Sequence, residues 1–171
     1  MRNFCVIGSG ISGATIANLL SKKHSVDLYD KARGLGGRSS FKRLDEKRGF
    51  DHGAQYFSHK RLEFKKFTKM LIEKKILKLW VGNHKFLSDK KKENKKHIKI
   101  IGTKGNSDIS KYLLKDINCN FQSELKKISF SNKKWNLTFS NGMIKTYENL
   151  ILTCPFPQLK NYQKITSKIH L

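Results

Sequence analysis

The spacing of apolar positions changes period twice within the first thirty residues. Asn3 to Ile7 is a short, nearly unbroken apolar run, the pattern of a strand buried on both faces. Gly8 to Gly10 interrupts it as a tight turn. From Ile11 to Ser21 the period becomes helical, with Ile16, Ala17, Leu19 and Leu20 as the apolar positions, and Ser25 to Tyr29 alternates as a second strand. The sum is a βαβ unit, whose strands run parallel and whose crossover is right-handed.

Beyond it lies a glycine and arginine loop from Lys31 to Arg38, a strand-like piece from Ser39 to Leu44, and a second loop from Gly49 to Ser58. Phe64, Phe67, Leu71 and Ile72 recur at helical spacing among lysines, which predicts an amphipathic helix over Lys60 to Leu77 packed on a core. Leu77 to Val81 reads as a strand, Asp89 to Lys96 as an exposed charged loop, and Ile98 to Ile101 as another strand. A helix follows from Asp108 to Lys115, with Ser107 as its cap. The remainder is rich in strands: Asn120 to Glu124, Lys127 to Phe130, Trp135 to Phe139, Met143 to Tyr147 and Asn149 to Cys154. Turns at Ser131 to Lys134 and Asn141-Gly142 join the middle three as hairpins, and Pro155-Phe156-Pro157 stops the last.

At 171 residues the chain is one ordinary domain or part of a larger one. Its formal charge of +23 raises a nucleic-acid or anionic-membrane partner. The basic residues are spread from Lys60 onward, however, and no interleaved aromatic-basic motif accompanies them, so a solvated lysine surface is the expectation. Cys5, Cys119 and Cys154 are odd in number and far apart, with no ligand spacing, which points to neither a disulfide framework nor a metal site and fits a reducing compartment. The apolar start is broken by glycines and has no small-residue cleavage site, and no run is long enough to span a membrane. A cytoplasmic protein is expected.

The chemistry lies in the loops. Gly8-Ser9-Gly10-Ile11-Ser12-Gly13 is a GxGxxG fingerprint placed between a strand and a helix, where its mechanism needs it. Gly8 permits the turn, Gly10 admits a pyrophosphate against bare backbone, and Gly13 lets helix and strand pack closely. Free N–H groups at Ile11 and Ser12 add to the helix dipole. Asp30 ends the second strand, where a carboxylate accepts hydrogen bonds from a ribose 2′-OH and repels a 2′-phosphate. These features specify a dinucleotide without choosing between NAD and FAD. The glycine pair Gly36-Gly37 followed by Arg38 favours FAD, since a longer cofactor laid across the sheet edge uses a planar cation for its phosphate or flavin oxygens.

Three runs together resemble the renalase-like branch of the flavin amine oxidase superfamily: the fingerprint, Asp30-Lys31-Ala32-Arg33-Gly34-Leu35-Gly36-Gly37-Arg38, and Phe50-Asp51-His52-Gly53-Ala54-Gln55-Tyr56-Phe57. The segments Lys104-Gly105-Asn106-Ser107 and Ile151-Leu152-Thr153-Cys154-Pro155-Phe156-Pro157-Gln158 and the hairpin carrying Trp135 follow the same pattern. The resemblance implies an α/β fold: a Rossmann-like FAD-binding βαβ core, an inserted α+β substrate-domain segment and a β-hairpin region, incomplete relative to the family. In this reading residues 1–58 carry the cofactor loops, 59–103 part of a substrate domain, and 104–171 the return to the FAD domain.

By the same resemblance Gly8, Gly10, Ser12 and Gly13 hold the pyrophosphate, Asp30 the adenosine ribose, and Arg38 the phosphate or flavin region. Gln55 and Tyr56 lie at the isoalloxazine, Ile11, Lys31, Gly37 and Ala54 complete the cofactor set, and Gln122 to Leu125 passes the adenine. The implied activity is oxidation of misreduced NAD(P)H isomers, or of an amine-like substrate, with oxygen as the final acceptor. The cofactor carries that chemistry, so no catalytic acid or base is demanded, and His52 reads as a structural histidine. Family members continue past this length to a Gly-Asp motif, which is absent from Gln158 to Leu171. The chain is therefore read as the N-terminal half of a flavoprotein: a truncated reading frame, one partner of a split pair that needs a separate C-terminal polypeptide, or a degenerate copy. A non-catalytic nucleotide-binding or assembly partner is the first competing function, followed by an NAD-dependent dehydrogenase and a basic nucleic-acid binder.

Overall fold

The computed structural model describes residues 1–46, 48–59, 61–82 and 98–159. In chain order the elements are β1 (Asn3–Ile7), α1 (Ile11–Ser21), β2 (Ser25–Tyr29), β3 (Phe41–Arg43), β4 (Gly49–Asp51), α2 (Leu62–Glu73), β5 (Leu77–Leu79) and β6 (Ile100–Gly102). There follow α3 (Asp108–Leu113), β7 (Asn118–Asn120), β8 (Leu125–Ser131), β9 (Lys134–Phe139), β10 (Ile144–Tyr147), β11 (Asn149–Leu152) and α4 (Phe156–Leu159). They group into two compact units, Met1–Arg38 with Ser110–Leu171, and Ser39–Ile109.

The first unit is built on a parallel sheet of order β11-β1-β2-β7. Cys5 pairs with Asp27 and Ile7 with Tyr29, so these four share one face. The antiparallel meander β10-β9-β8 packs there: Leu125, Ile128, Leu137, Phe139 and Tyr147 are buried together with Cys5, Ile7 and Tyr29. Tyr29 stacks on Phe139 with ring centroids 4.3 Å apart. Val6 and Leu28 alternate to the opposite face, and Ala14 and Ala17 are the buried side chains of α1 beside Gly13. The helix therefore approaches the sheet through its small residues, and Leu19, expected in the core, is 54% exposed.

Between the two sheets runs a polar chain. The Tyr29 and Tyr147 hydroxyls are 2.7 Å apart, Tyr147 donates to Asp27 Oδ2 at 2.8 Å, and Asn118 Nδ2 donates to Asp27 Oδ1 at 2.8 Å. Burial pushes the pKa of Tyr147 up, with the hydrogen bonds to Tyr29 and Asp27 adding to it. Burial, reinforced by the nearby Asp27 charge, does the same to Cys5.

Two hairpin turns form where Asn and Gly place them. Asn132 and Lys133 both adopt left-handed backbone between β8 and β9, as a type I′ turn requires, and Gly142 does so between β9 and β10. The expected strand from Asn120 to Glu124 is displaced to Asn118–Asn120. Gln122 sits at φ +53°, and the Gln122 and Ser123 N–H groups turn back to the carbonyls of Ala32 and Asp30, so residues 121–124 serve the loop beside β2 instead of extending the sheet.

In the second unit β3 pairs with β4 and β5 with β6, both antiparallel. Gly49 to Asp51, read as loop, is thus a strand: Gly49 gives room to the Phe41 ring, which its own Cβ would approach to 2.4 Å. Helix α2 buries Leu71 and also Thr68, whose hydroxyl donates to the Lys65 carbonyl at 3.1 Å and so escapes the polar cost that hid it from the apolar pattern. The segment Asp89 to Lys96 lies outside the described residues.

Two outcomes test this core. Phe139→Ala removes the ring stacked on Tyr29 and should cost about 3–5 kcal/mol in denaturant unfolding. Cys5 and Tyr147 are neutral when protonated, and their folded pKa values lie above the ordinary 9.0 and 10.0. Their contribution is complete below pH 9 and is lost as pH rises past 9 and then 10, because the unfolded chain releases protons that the folded chain keeps. Stability should fall by up to about 1.4 kcal/mol per pH unit for each proton. A flat response from pH 8.5 to 11 would contradict it.

Candidate functional site

The end of β1, the start of α1 and the end of β2 meet through glycine. The Gly8 N–H donates to the Tyr29 carbonyl at 2.8 Å, and Gly8 has φ +108°, a conformation that side chains rarely adopt. Thr153, just after β11, donates its hydroxyl to the Ile7 carbonyl at 2.9 Å. A Cβ on Gly8 would stand 2.5 Å from that Thr153 oxygen, and one on Gly13 would stand 1.9 Å from the Gly8 carbonyl oxygen. Both glycines are therefore demanded by the fold.

Gly10 is different. Its backbone is ordinary (φ −66°, ψ 175°) and a Cβ there would have no neighbour closer than 3.9 Å. Nothing among the described residues requires a glycine at this position. As the N-cap of α1 it offers no side-chain cap, and the first turn carries no acid. The helix thus starts with uncapped N–H groups and an uncompensated dipole beside a bare backbone surface, which is the arrangement that receives a phosphate. The half-buried Ile11, the exposed Ser12 and the buried Gly13 make up that first turn.

The loop after β2 folds back over this point. The Gly36 N–H donates to the Ser9 carbonyl at 3.2 Å, and Gly10 and Gly36 form an isolated bridge. Gly37 has φ +53°, and a Cβ on it would lie 3.1 Å from the Gly10 Cα. The pair Gly36-Gly37 therefore lies backbone to backbone on the fingerprint, and Arg38 follows with its side chain exposed.

Asp30 ties the two loops together. Its Oδ2 accepts both the N–H and the hydroxyl of Ser9, each at 2.6 Å, and its Oδ1 accepts the Ala32 N–H at 2.8 Å. Its own N–H donates to the Asn120 carbonyl and its carbonyl accepts from Ser123. Lys31 is exposed on the same loop. The sequence pattern identified Asp30, yet missed Ser9 and Thr153, because a serine or threonine beside a glycine run is unremarkable without knowledge of what it faces.

In the second unit the Asp51 to Tyr56 run is held by Asn106. The fully buried Asn106 donates its Nδ2 to the Ala54 carbonyl at 2.6 Å and its backbone N–H to Asp51 Oδ1 at 2.8 Å, while its Oδ1 accepts the Gly102 N–H at 2.9 Å. His52 lies 2.9 Å from the Ser40 hydroxyl through Nε2 and meets Phe50 edge-on, a structural setting. Gln55 is exposed. Tyr56 is half-buried beside Trp80, with Lys99 Nζ 4.8 Å from the Tyr56 ring centroid and 5.2 Å from that of Trp80. Asn106 carries three polar connections that sequence pattern did not single out.

All three cysteines are free, and among the described residues no group of acidic, histidine or cysteine side chains is placed to hold a metal ion. No helix among them is long and apolar enough to cross a membrane.

Residues 6–71 match the family described as an NAD(P)-binding Rossmann-like domain. Mouse (Mus musculus) renalase is 26% identical over 174 residues, covering 95% of this chain and 50% of its own length. The chain thus spans about half the length of that curated relative. Among solved structures, tetracycline destructase Tet(51) has a similar fold, with TM-score 0.57 at 19% identity over 90% of this chain and 38% of its own. The chain is similar to renalase in sequence and has a Rossmann-like α/β fold.

The contrast among the glycines has a direct test in thermal or denaturant unfolding. Gly13→Ala should destabilise by about 3 kcal/mol or more, since backbone must move, whereas Gly10→Ala should cost about 1 kcal/mol or less. Equal losses would contradict the distinction. Asn106→Ala strands the Ala54 carbonyl and the Gly102 N–H, and should cost about 2–4 kcal/mol, with faster amide exchange around 51–56.

Proposed function

We propose that the chain binds FAD and works as the cofactor-holding part of a renalase-type oxidoreductase. The observation that carries this reading is Gly10: a position that tolerates a side chain as far as the protein is concerned, set at an uncapped helix start, is bare for the sake of something outside the protein. The similarity to renalase supports a flavin over a nicotinamide as the resident dinucleotide.

The residues fit the group. The N–H groups of Ile11, Ser12 and Gly13 and the bare Gly10 receive the pyrophosphate, with Gly8 shaping the turn beneath them. Asp30, with Lys31 next to it, takes the adenosine ribose. Gly37 places Arg38, whose guanidinium answers phosphate or flavin oxygens. Ala54, Gln55 and Tyr56 serve the isoalloxazine, and their backbone is fixed in advance by Asn106. Residues 1–58 then hold the cofactor, 59–103 contribute to the substrate side, and 104–171 return to the cofactor domain.

When bound, FAD supplies hydride acceptance from a reduced nicotinamide isomer or amine-like substrate and passes the electrons to oxygen. The chain's own part is to bind, orient and tune; none of its side chains is needed to move a proton.

Mixing the purified chain with FAD and removing free cofactor should leave yellow protein with a flavin absorbance band. Gly10→Ala should bind at least tenfold more weakly while remaining folded. A wild-type protein that stays colourless, or one that binds NAD more tightly than FAD, would overturn the proposal. With flavin bound, anaerobic addition of a misreduced NADH isomer should bleach the band, and ordinary NADH should do so far more slowly.

A further inference from the structure

We infer that the Ser9 hydroxyl sets how many ribose hydroxyls Asp30 accepts, so that the site engages its nucleotide through one ribose hydroxyl and not two. The inference rests on the reading that the fingerprint holds an adenine nucleotide, and assigns Ser9 a positioning and specificity role within it.

The glycine fingerprint leaves the identity of residue 9 open, and here it is a fully buried serine. Its N–H and its hydroxyl both end on the same carboxylate oxygen, Asp30 Oδ2, at 2.6 Å each. The Ala32 N–H takes one site on Oδ1 at 2.8 Å. A carboxylate offers about four lone-pair sites. Among the described residues, three are filled, and the remaining one is on Oδ1.

A ribose diol that placed one hydroxyl on each carboxylate oxygen would have to expel the Ser9 hydroxyl from Oδ2. That would leave a buried hydroxyl without a partner, a penalty as large as the hydrogen bond gained. The two short bonds to Oδ2 also fix the carboxylate against rotation, so Oδ1 cannot be exchanged for Oδ2. One ribose hydroxyl therefore bonds to Oδ1 and the other does not reach the acid.

The test uses the full chain with ADP, 2′-deoxy-ADP and 3′-deoxy-ADP as probes, measured by calorimetry. The wild type should lose about tenfold in affinity for one deoxy analogue and less than twofold for the other. Ser9→Ala keeps the N–H bond but frees a site on Oδ2, so both deoxy analogues should now bind several-fold more weakly than ADP. Equal losses in the wild type, no loss with either analogue, or an unchanged one-sided pattern in Ser9→Ala would overturn the role of Ser9 while leaving the nucleotide site standing. Failure of ADP itself to bind the wild type would instead sink the underlying reading, and this one with it. The wild-type selectivity is decisive even if Ser9→Ala folds poorly.

Discussion

A helix can present its N-terminus to a phosphate at the end of a strand only if the two backbones nearly touch, and Gly13 against the Gly8 carbonyl is where that happens. A side chain at either position would collide with backbone or with Thr153. The rest of the cradle depends on this approach. It fixes where α1 begins, puts the uncapped N–H groups of the first turn beside Gly10, and leaves the small residues Ala14 and Ala17 as the packing face. The dipole of an eleven-residue helix then points at one spot.

Around that spot the chain spends its polar groups on holding loops rather than on reaching outward. Asp30 is bound to Ser9 and Ala32, Gly36 to Ser9, and the β7 exit to Asp30 and Ala32. Three loops separated widely in sequence are thereby fixed before any ligand arrives, which lowers the ordering cost of binding. For the proposed anionic cofactor, the net charge of +23 would add a long-range attraction, weakened by salt, without specifying it.

The βαβ unit was legible to the residue: β1, α1 and β2 begin and end where the change of period places them. So were the hairpins, since Asn132-Lys133 and Asn141-Gly142 encode their turns locally. Non-local pairing was harder to read. Gly49–Asp51 is a strand because it meets Phe41–Arg43, and residues 121–124 leave the sheet because Gln122 and Ser123 are drawn to the loop after β2. Neither cause is visible in a window of ten residues. The candidate site divides in the same way. Glycines announce themselves by type and spacing, which assign Gly8 to the turn, Gly13 to the packing and Gly10 to a ligand; the geometry adds that a side chain would clash at Gly8 and Gly13 and not at Gly10. Ser9, Thr153 and Asn106 act through partners that no spacing rule names.

The central claim is that the start of α1 is a phosphate site, and backbone amide signals report on it directly. In a titration of the isotope-labelled chain with ADP followed by NMR, the account predicts that the amides of Ile11, Ser12 and Gly13 shift first and furthest, moving to the positions typical of anion-bonded N–H groups. Shifts confined to the lysine-rich surface, with those three amides unmoved, would contradict it.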